Sequence, residues 1–306
     1  MFRLVERRRY YFIFSAIIIS LGIVAMIIST VRTGRPFQIG VDFQSGTRYE
    51  VQFTEPVTES ELRDLFIRFG SNNPSVTSLQ GEGLENAWQI RTEFVPLETS
   101  RAVLDALAAE LAPLVPGSTL VETVSPSVGA EVTRAAFVAI IVAAVIILFY
   151  IMFSFRQVPH PFRYGAAAVA AMLHDLAITF GFISITGLAF GWEVDALFLT
   201  AVLTVAGFSL QDTIVVFDRI RENIRKRPLE DFELLANRSI LETIHRSLAT
   251  QLNAMFVMVA ILLFGGASIK HFIAVLLVGL LSGTYSSIFN AVPLLVAWEK
   301  RALETA

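Results

Sequence analysis

Long apolar stretches alternate with short charged ones along most of this chain. Six windows are long enough to cross a bilayer core of about 30 Å at 1.5 Å per helical residue. They are 10–31, 135–155, 164–191, 194–217, 247–269 and 272–298. Four of the six contain no Asp, Glu, Lys, Arg or His, and the third and fourth are the exceptions. The pattern predicts a polytopic α-helical membrane protein with six transmembrane helices.

The segment 32–134, between the first and second windows, is polar and has a different periodicity. Alternation of apolar and polar residues predicts four strands, at Tyr49–Phe53, Val76–Gln80, Trp88–Glu93 and Leu120–Val124. Helices are predicted from the capping box at Thr58 and Glu61 to Phe69 and from Thr99 to Leu111. A turn is predicted at Gly81-Glu82-Gly83. The order β-α-β-β-α-β predicts one small α+β domain of ferredoxin-like type, inserted between the first two spanning helices.

Basic residues are concentrated on one predicted side of the membrane. Arg3 and Arg7-Arg8-Arg9 precede the first window, and nine further basic residues lie in 156–163 and 218–246, whereas the short outer loops carry almost none beyond Lys270. The positive-inside rule therefore puts both termini and these two loops in the cytoplasm. The predicted organisation of the chain is a cytoplasmic N-terminus (1–9), a retained first helix (10–31), an extracytoplasmic domain (32–134), a five-helix region with a cytoplasmic loop (135–298, loop 218–246) and a cytoplasmic tail (299–306).

Composition supports a membrane protein and narrows its chemistry. Of the 306 residues, 54% are hydrophobic and 17% are charged, against about 25% charged in soluble domains. The chain has no cysteine, which excludes disulfides and thiol chemistry. The segment 32–134 has no His or Cys and no cluster of metal ligands, so we expect no enzyme site there, no cofactor and no metal. No nucleic-acid partner is expected.

Asp212 is the main candidate for chemistry. It lies in the fourth apolar window, six positions before Asp218, which places it about 9 Å inside the charged end of the helix. An ionised carboxylate at that depth costs at least about 2.5 kcal/mol, so it requires a partner, a water-filled cavity or a proton. Ser209 shares its helix face, and Gln211 is a polar neighbour. We regard Ser209, Gln211 and Asp218 as candidate relay or support residues for Asp212. Two interpretations remain open: a hydrogen bond that packs helices, or a group that carries protons.

Two further features could support a proton path. Arg246 is the last charged residue before the fifth apolar window, and its long side chain could reach Asp212 from a neighbouring antiparallel helix. His174-Asp175 lies about eleven residues into the third window, where a charged group is expected to face other helices. This pair could be a satisfied polar contact between helices or part of a proton relay.

Several motifs together resemble the SecF branch of the SecD/SecF family. The fourth-span string Gly207–Asn223 is similar to the family signature, with Gln211 in place of the usual Asn. Gly40–Thr47 is similar to the family's G-[IV]-D-F-x-G-G-T motif, with Ser45 in place of a glycine. Other similar stretches are His174-Asp175, Phe264-Gly265-Gly266 and Gly283–Ile288.

The resemblance implies a proton-driven accessory subunit of the Sec protein-export machinery, related to the RND transporters. Such a subunit forms half of a pseudo-symmetric bundle with SecD in the bacterial inner membrane. It works beside the SecYEG channel and the SecA motor on unfolded preproteins, with protons as the coupling ion. The family's membrane-embedded acidic and basic residues correspond by position to Asp212 and Arg246.

Three alternative functions belong to other classes. A proton-driven exporter of small molecules or lipids would also carry an intramembrane carboxylate, but it usually has twelve spans in one chain. An intramembrane aspartyl protease would require Asp175 and Asp212 to face each other, and its G-x-G-D context is missing. A structural subunit that stabilises SecD without moving protons would retain Asp212 only as a helix contact.

Overall fold

The computed structural model describes residues 4–71, 74–79 and 84–304, with side chains at all of these except 267–268 and 301–304. In chain order the helices are α1 (Arg8–Thr33), α2 (Val41–Gln44), α3 (Glu59–Arg68), α4 (Leu97–Ala106), α5 (Pro126–Ser154), α6 (Pro161–Phe190), α7 (Ala196–Lys226), α8 (Phe232–Phe264), α9 (Ala267–Ser286) and α10 (Val292–Glu304). The strands are β1 (Gly46–Gln52), β2 (Ser75–Ser78), β3 (Ala87–Thr92) and β4 (Leu120–Val124). A 3₁₀ turn, Val5–Arg7, precedes α1, and π-helical turns at Leu107–Leu111 and Ser287–Ala291 follow α4 and α9.

Six helical segments of the described chain are long and apolar enough to cross a membrane. They are Val5–Thr33, Pro126–Ser154, Pro161–Phe190, Ala196–Lys226, Phe232–Phe264 and Ile269–Lys300. The last of them contains α9, the π-helical turn and α10. The predicted number of spanning helices is therefore confirmed.

The charged segment 218–246, predicted as a cytoplasmic loop, is largely helical. Most of it continues the two neighbouring helices, α7 to Lys226 and α8 from Phe232, and only a short turn separates them. Glu222 accepts from both Arg219 (2.5 Å) and Lys226 (2.5 Å), which are one helical turn away on either side. Asp231 caps α8 by accepting from two backbone N–H groups. Local charge pairing and this cap extend both helices beyond their apolar windows.

The chain divides into two compact units, which we call the spanning unit and the inserted unit. The spanning unit comprises Met1–Gln38, Val138–Trp192 and Leu197–Ala306. The inserted unit comprises Ile39–Phe137 together with the short segment Glu193–Ala196. This last segment was predicted as a short outer loop and the start of the fourth span, and its membership of the inserted unit could not be read from the pattern.

The inserted unit has a four-stranded antiparallel sheet in the order β2-β3-β1-β4. Tyr49 of β1 and Phe66 of α3 are buried against each other, with ring centroids 5.1 Å apart. The predicted capping box is present, because Thr58 N–H donates to the Glu61 carboxylate at 2.9 Å and Glu61 N–H donates to the Thr58 hydroxyl at 3.4 Å. The bonds that Glu61 accepts from the Thr58 backbone and hydroxyl lower the pKa of that carboxyl. The predicted turn at 81–83 lies outside the described residues.

In the spanning unit, α1 and α6 cross at two glycines. A Cβ atom on Gly22 would stand 2.8 Å from the Cα of Gly181, so neither position has room for a side chain. Small residues that allow backbones to approach are a common basis of helix association in lipid. Elsewhere in this unit Tyr164 stacks on Phe155 and meets Phe217 edge-on, with centroid distances of 5.6 and 5.3 Å. These contacts fix the helices that carry the polar groups described next.

Candidate functional site

Asp212 is buried within the spanning unit, with 2% of its surface exposed. Two side chains of α8 donate to its carboxylate: the Ser247 hydroxyl to Oδ1 at 2.9 Å and the Gln251 amide to Oδ2 at 2.6 Å. Ser247 and Gln251 are four residues apart and therefore lie on one face of α8. Each carboxylate oxygen thus has one neutral donor, and α7 and α8 are joined at this point.

The two donors suit either protonation state of the carboxyl group. An ionised carboxylate accepts from both, and a hydrogen bond to a charged group contributes roughly 1.5–3 kcal/mol. When the carboxyl is protonated, the Ser247 hydroxyl can rotate and accept a hydrogen bond from the carboxyl O–H, since a hydroxyl is both donor and acceptor. Neither donor carries a charge, so a change in protonation of Asp212 changes the net charge of this buried site.

Arg246 is not at this site, although it precedes Ser247 directly. Its side chain is exposed, and no ion pair within the described part of the chain joins it to Asp212. Adjacent residues of a helix point about 100° apart at 3.6 residues per turn. The structure therefore brings Ser247 to Asp212 where the sequence suggested Arg246, and it shows the carboxyl without a cation.

A second buried carboxylate, Asp175 of α6, is bound mainly by α9. Its Oδ2 accepts from the Ser286 hydroxyl at 2.7 Å, and its Oδ1 accepts from the Ser282 hydroxyl at 2.6 Å. His174 Nδ1 lies 2.9 Å from the same Oδ1. Asp175 has no exposed surface. The predicted His174–Asp175 pair is present, and the two serines are additional partners that tie α6 to α9.

Helices α6, α7 and α9 meet at Gly283. A Cβ atom at that position would stand 3.2 Å from the Cα of Ser209 and 3.6 Å from Oδ2 of Asp175. Ser209 is buried, and its hydroxyl has no hydrogen-bond partner among the described residues. It lies one helical turn before Asp212 on α7. Ser209 is therefore close to Asp212 along α7, and it packs against Gly283, which lies beside Asp175.

The two carboxylates do not form a facing pair. Asp212 is bound by α8 and Asp175 by α9, and among the described residues no hydrogen bond joins the one to the other. The direct hydrogen bond of two aspartates that share a proton is thus not seen among the described residues. In the part of the chain that the structure describes, no three His, Asp or Glu side chains are arranged to hold a metal ion.

The remaining predicted residues lie outside the buried cluster. Gln211 is exposed, as expected for the residue next to a buried one on a helix. Asp218 is exposed and forms an ion pair with Arg221. Among the described residues, the hydrogen bonds to the Asp212 carboxylate come from Ser247 and Gln251 and not from Gln211 or Asp218.

Sequence reasoning missed four residues that bind the carboxylates: Ser247, Gln251, Ser282 and Ser286. The first two and the last two are each spaced four apart in otherwise apolar helices. That spacing puts both members of each pair on one helix face, and it could have identified them as candidate partners of a buried carboxylate. What the spacing does not give is which neighbouring helix that face meets.

Comparisons with known proteins are consistent over nearly the whole chain. The profile described as "Protein export membrane protein SecD/SecF, C-terminal" matches residues 109–301, and the "SecD/SecF GG Motif" matches residues 33–57. The protein translocase subunit SecF of Thermobaculum terrenum is 41% identical over 308 residues, covering 98% of this chain and 95% of that protein. SecF of Anaerolinea thermophila is 39% identical and covers 98% of this chain and 94% of its own length.

Solved structures give the same assignment. The crystal structure of SecDF, a translocon-associated membrane protein from Thermus thermophilus, aligns with 98% of this chain with a TM-score of 0.81 and 29% identity. This chain spans 39% of that longer protein. From these matches, the chain is a member of the SecD/SecF family of protein export membrane proteins.

Proposed function

We propose that this chain acts as a SecF-type accessory subunit of the Sec protein translocase and uses the proton gradient to drive late translocation and release of preproteins. Its full-length relatives are named translocase subunits, which supports a transport role rather than catalysis of a reaction. The observation that carries the proton-coupled part is the burial of Asp212 on α7 with neutral donors on both carboxylate oxygens.

The proposed cycle alternates the partner of Asp212. In one state the protonated carboxyl rests between Ser247 and Gln251. In the other state the ionised carboxyl pairs with Arg246, which would require the long Arg246 side chain and a rotation of α8 to bring it across from the adjacent face. A nearby cation favours the ionised form, and apolar surroundings favour the protonated form. Proton binding and release are thereby linked to helix movement.

The gradient is strong enough to bias such a movement. One elementary charge crossing a potential of 100 mV releases about 2.3 kcal/mol. Since about 1.4 kcal/mol corresponds to a factor of ten, this energy shifts a two-state equilibrium by roughly fiftyfold. His174, Asp175 and Ser209 are proposed as support or relay groups beside Asp212. Gln211 and Asp218, which are exposed, are assigned no direct part in the cycle.

The proposed partners follow from the family. One relative is a SecF subunit of about the same length, and the aligned structure is of the longer SecDF protein. We therefore expect SecD to supply the other half of the helix bundle. The SecYEG channel, SecA and unfolded preproteins are the further partners. We place the protein in the bacterial inner membrane with both termini in the cytoplasm, supported by the basic residues of the predicted inner loops. Protons are the only coupling species proposed, with no cofactor.

We also propose that the inserted unit is a ferredoxin-like domain that faces outward. Its element order, β1-α3-β2-β3-α4-β4, and its antiparallel strand order support this assignment. An outward domain of this kind would hold and release the emerging preprotein as the spanning helices move.

A structural role without proton transport is the second candidate. It is favoured by the complete hydrogen bonding of both Asp212 oxygens, which is also what a static contact between α7 and α8 would require. Only the proton-coupled function requires Asp212 to bind and release a proton. Asp212→Asn keeps the size of the side chain and one oxygen acceptor but cannot exchange a proton.

The deciding experiment measures gradient-dependent preprotein release in cells that carry only the variant subunit with SecD. Asp212→Asn is expected to abolish the stimulation by the gradient while the complex with SecD is recovered in normal yield. The matched control is Glu222→Gln, which removes a partly exposed carboxyl ten residues further along the same helix and outside the buried site. Its ion pairs with Arg219 and Lys226 lie near the surface, where such pairs contribute little, so release should be unchanged. Full gradient-driven release by the Asp212→Asn variant would refute proton coupling through this site and support the structural role.

A further inference from the structure

The motif Gly40–Thr47 has no part in the cycle described above, yet it is bound to the start of the helix that carries Asp212. Gly40 N–H donates to the Val194 carbonyl at 2.8 Å, and Ile39 forms a parallel β-bridge with Val194. Asp42, in the short helix α2, accepts from the backbone N–H of Ala196 at 2.9 Å. Ala196 is the first residue of α7. All of these residues belong to the inserted unit.

The Asp42 contact is chemically suited to a helix start. The first N–H groups of a helix have no partner within the helix, and the positive end of the helix dipole attracts a carboxylate. Asp42 supplies both the acceptor and the charge from a position 154 residues earlier in the chain. It therefore ties α7 to a distant part of the inserted unit.

Strand β3 also binds the segment Glu193–Ala196. The buried carboxylate of Glu193 is 2.9 Å from Arg91 Nε and accepts from the Gln89 amide at 2.6 Å. Arg91 also donates to the Ile39 carbonyl at 3.5 Å, so one strand holds both sides of the contact. Burial raises the pKa of the Glu193 carboxyl, and Arg91 and Arg48 oppose that shift. The Glu193 side chain is 7% exposed and the Arg91 side chain 21%, so the pair is partly shielded from water and contributes more than an exposed pair would.

The motif is held just as closely on its other side. Gly46 has φ +143°, and a Cβ there would stand 2.6 Å from the Thr92 carbonyl. Gly129, in the first turns of α5, would place a Cβ 2.9 Å from the backbone nitrogen of Ser45. Thr133 donates to the Phe43 carbonyl at 3.2 Å. Glycine is required where backbones approach this closely, and the motif therefore forms a rigid connection to β3 and to α5.

We infer that the clasp formed by Ile39, Gly40 and Asp42 with the segment Glu193–Ala196 is the mechanical coupling between the proton site and the inserted unit, with Asp42 as the positioning residue. The inference rests on the proposed function. Helix α7 runs unbroken from Ala196 to Asp212, a distance of about 24 Å along its axis. A shift of α7 that follows a change at Asp212 is thus delivered to the sheet through the clasp.

The test measures proton flux and preprotein export separately, each with the variant chain in its complex with SecD. Flux is measured with a pH-sensitive dye in vesicles, and export as gradient-dependent preprotein release in cells. Asp42→Ala is expected to retain proton flux and to lose most of the gradient-dependent release. Asp42→Asn, which keeps an oxygen acceptor for the Ala196 N–H, is expected to retain most of both. Wild-type release by Asp42→Ala, or parallel loss of flux and release in that variant, would overturn the inference.

The Asp212→Asn variant keeps this test distinct from a test of the proposed function. If Asp212→Asn retains both flux and gradient-dependent release, the proposed function fails. If Asp212→Asn loses both while Asp42→Ala behaves as wild type, only the clasp inference fails.

A reversible cross-link provides a second, independent measurement. The natural chain has no cysteine, so Ile39→Cys with Val194→Cys introduces one bridgeable pair at the clasp. A clasp that stays closed while it transmits movement predicts equal gradient-dependent release in the oxidised and reduced forms. Loss of release on oxidation, restored by reductant, would show that the clasp must open and would contradict the inference.

Discussion

In the described part of the chain, the Asp212 carboxylate accepts hydrogen bonds from neutral donors and forms no ion pair. Ser247 and Gln251 satisfy both carboxylate oxygens, while Arg246 is exposed on the adjacent face of α8. A permanent ion pair would fix the carboxyl in its ionised form, whereas neutral donors leave both forms accessible. At the scale of single residues, this is the property that a proton-exchanging site requires.

Gln251 should therefore be important for the rate of proton release. Gln251→Leu removes the donor at 2.6 Å from Asp212. The carboxylate that has just released its proton, before it pairs with Arg246, then loses roughly 1.5–3 kcal/mol of hydrogen bonding. We expect proton flux in vesicles to fall by about tenfold or more. Asn253→Leu is the matched control, because Asn253 is an exposed amide on the same helix. Equal flux in both variants would argue that Gln251 does not assist the ionised state.

At the scale of helices, the spanning unit depends on close backbone approach. The α1–α6 crossing has no space for a methyl group at Gly22 or Gly181, and the junction of α6, α7 and α9 is similarly tight at Gly283. Polar contacts reinforce the same junctions, since Asp175 on α6 accepts from two serines of α9. Backbone proximity and buried hydrogen bonds together hold these helices in register.

The same substitution, glycine to alanine, should have different effects on stability at two positions. Gly181→Ala places a methyl group 2.8 Å from the backbone of Gly22, so we expect a clear fall in the thermal unfolding midpoint in detergent. Gly207→Ala, in α7, has nothing within 4 Å of the new Cβ, and alanine favours a helix over glycine by up to about 1 kcal/mol. Its midpoint should be unchanged or slightly higher. A stable Gly181→Ala variant would show that α1 and α6 do not pack as closely as the structure indicates.

At the scale of the whole molecule, the six spanning helices and the inserted unit imply a defined topology. The proposed orientation puts the turn between α7 and α8 in the cytoplasm and the inserted unit outside. Because the chain has no natural cysteine, single introduced cysteines can report which side of the membrane each position faces.

Single cysteines at two exposed positions test the topology. Glu55→Cys lies in the inserted unit, and Leu229→Cys lies in the turn between α7 and α8, where Leu229 is 100% exposed. A thiol reagent that cannot cross membranes should label position 55 in intact spheroplasts and position 229 only after lysis. The reverse pattern would contradict the assignment of the cytoplasmic side.

The sequence predicted the parts of the molecule that depend on local pattern. Apolar windows gave the six helices, and the strand at Leu120–Val124 and the capping box at Thr58 were found where alternation and capping chemistry put them. The burial of Asp212 followed from the apolar residues around it. The segment 193–196 and its bond to Asp42 did not follow, because the partners are 154 residues apart.

The partner of Asp212 shows why the site was only partly predictable. Charge complementarity favoured Arg246, but the rotation of α8 about its axis decides which residue faces α7, and one position changes the direction by about 100°. That rotation is set by packing along the whole helix and leaves no mark in the local sequence. The same reasoning applies to Ser282 and Ser286 opposite Asp175.

The most direct test of the account is a pair of structures of the complex with SecD, at acidic and alkaline pH, read for the distances from the Asp212 carboxyl to Arg246 and to Gln251. At acidic pH the account predicts the Ser247 and Gln251 contacts described above, with Arg246 remote. At alkaline pH it predicts Arg246 within salt-bridge distance, about 4 Å, together with a rotation of α8. Identical contacts at both pH values would contradict a switch at this residue.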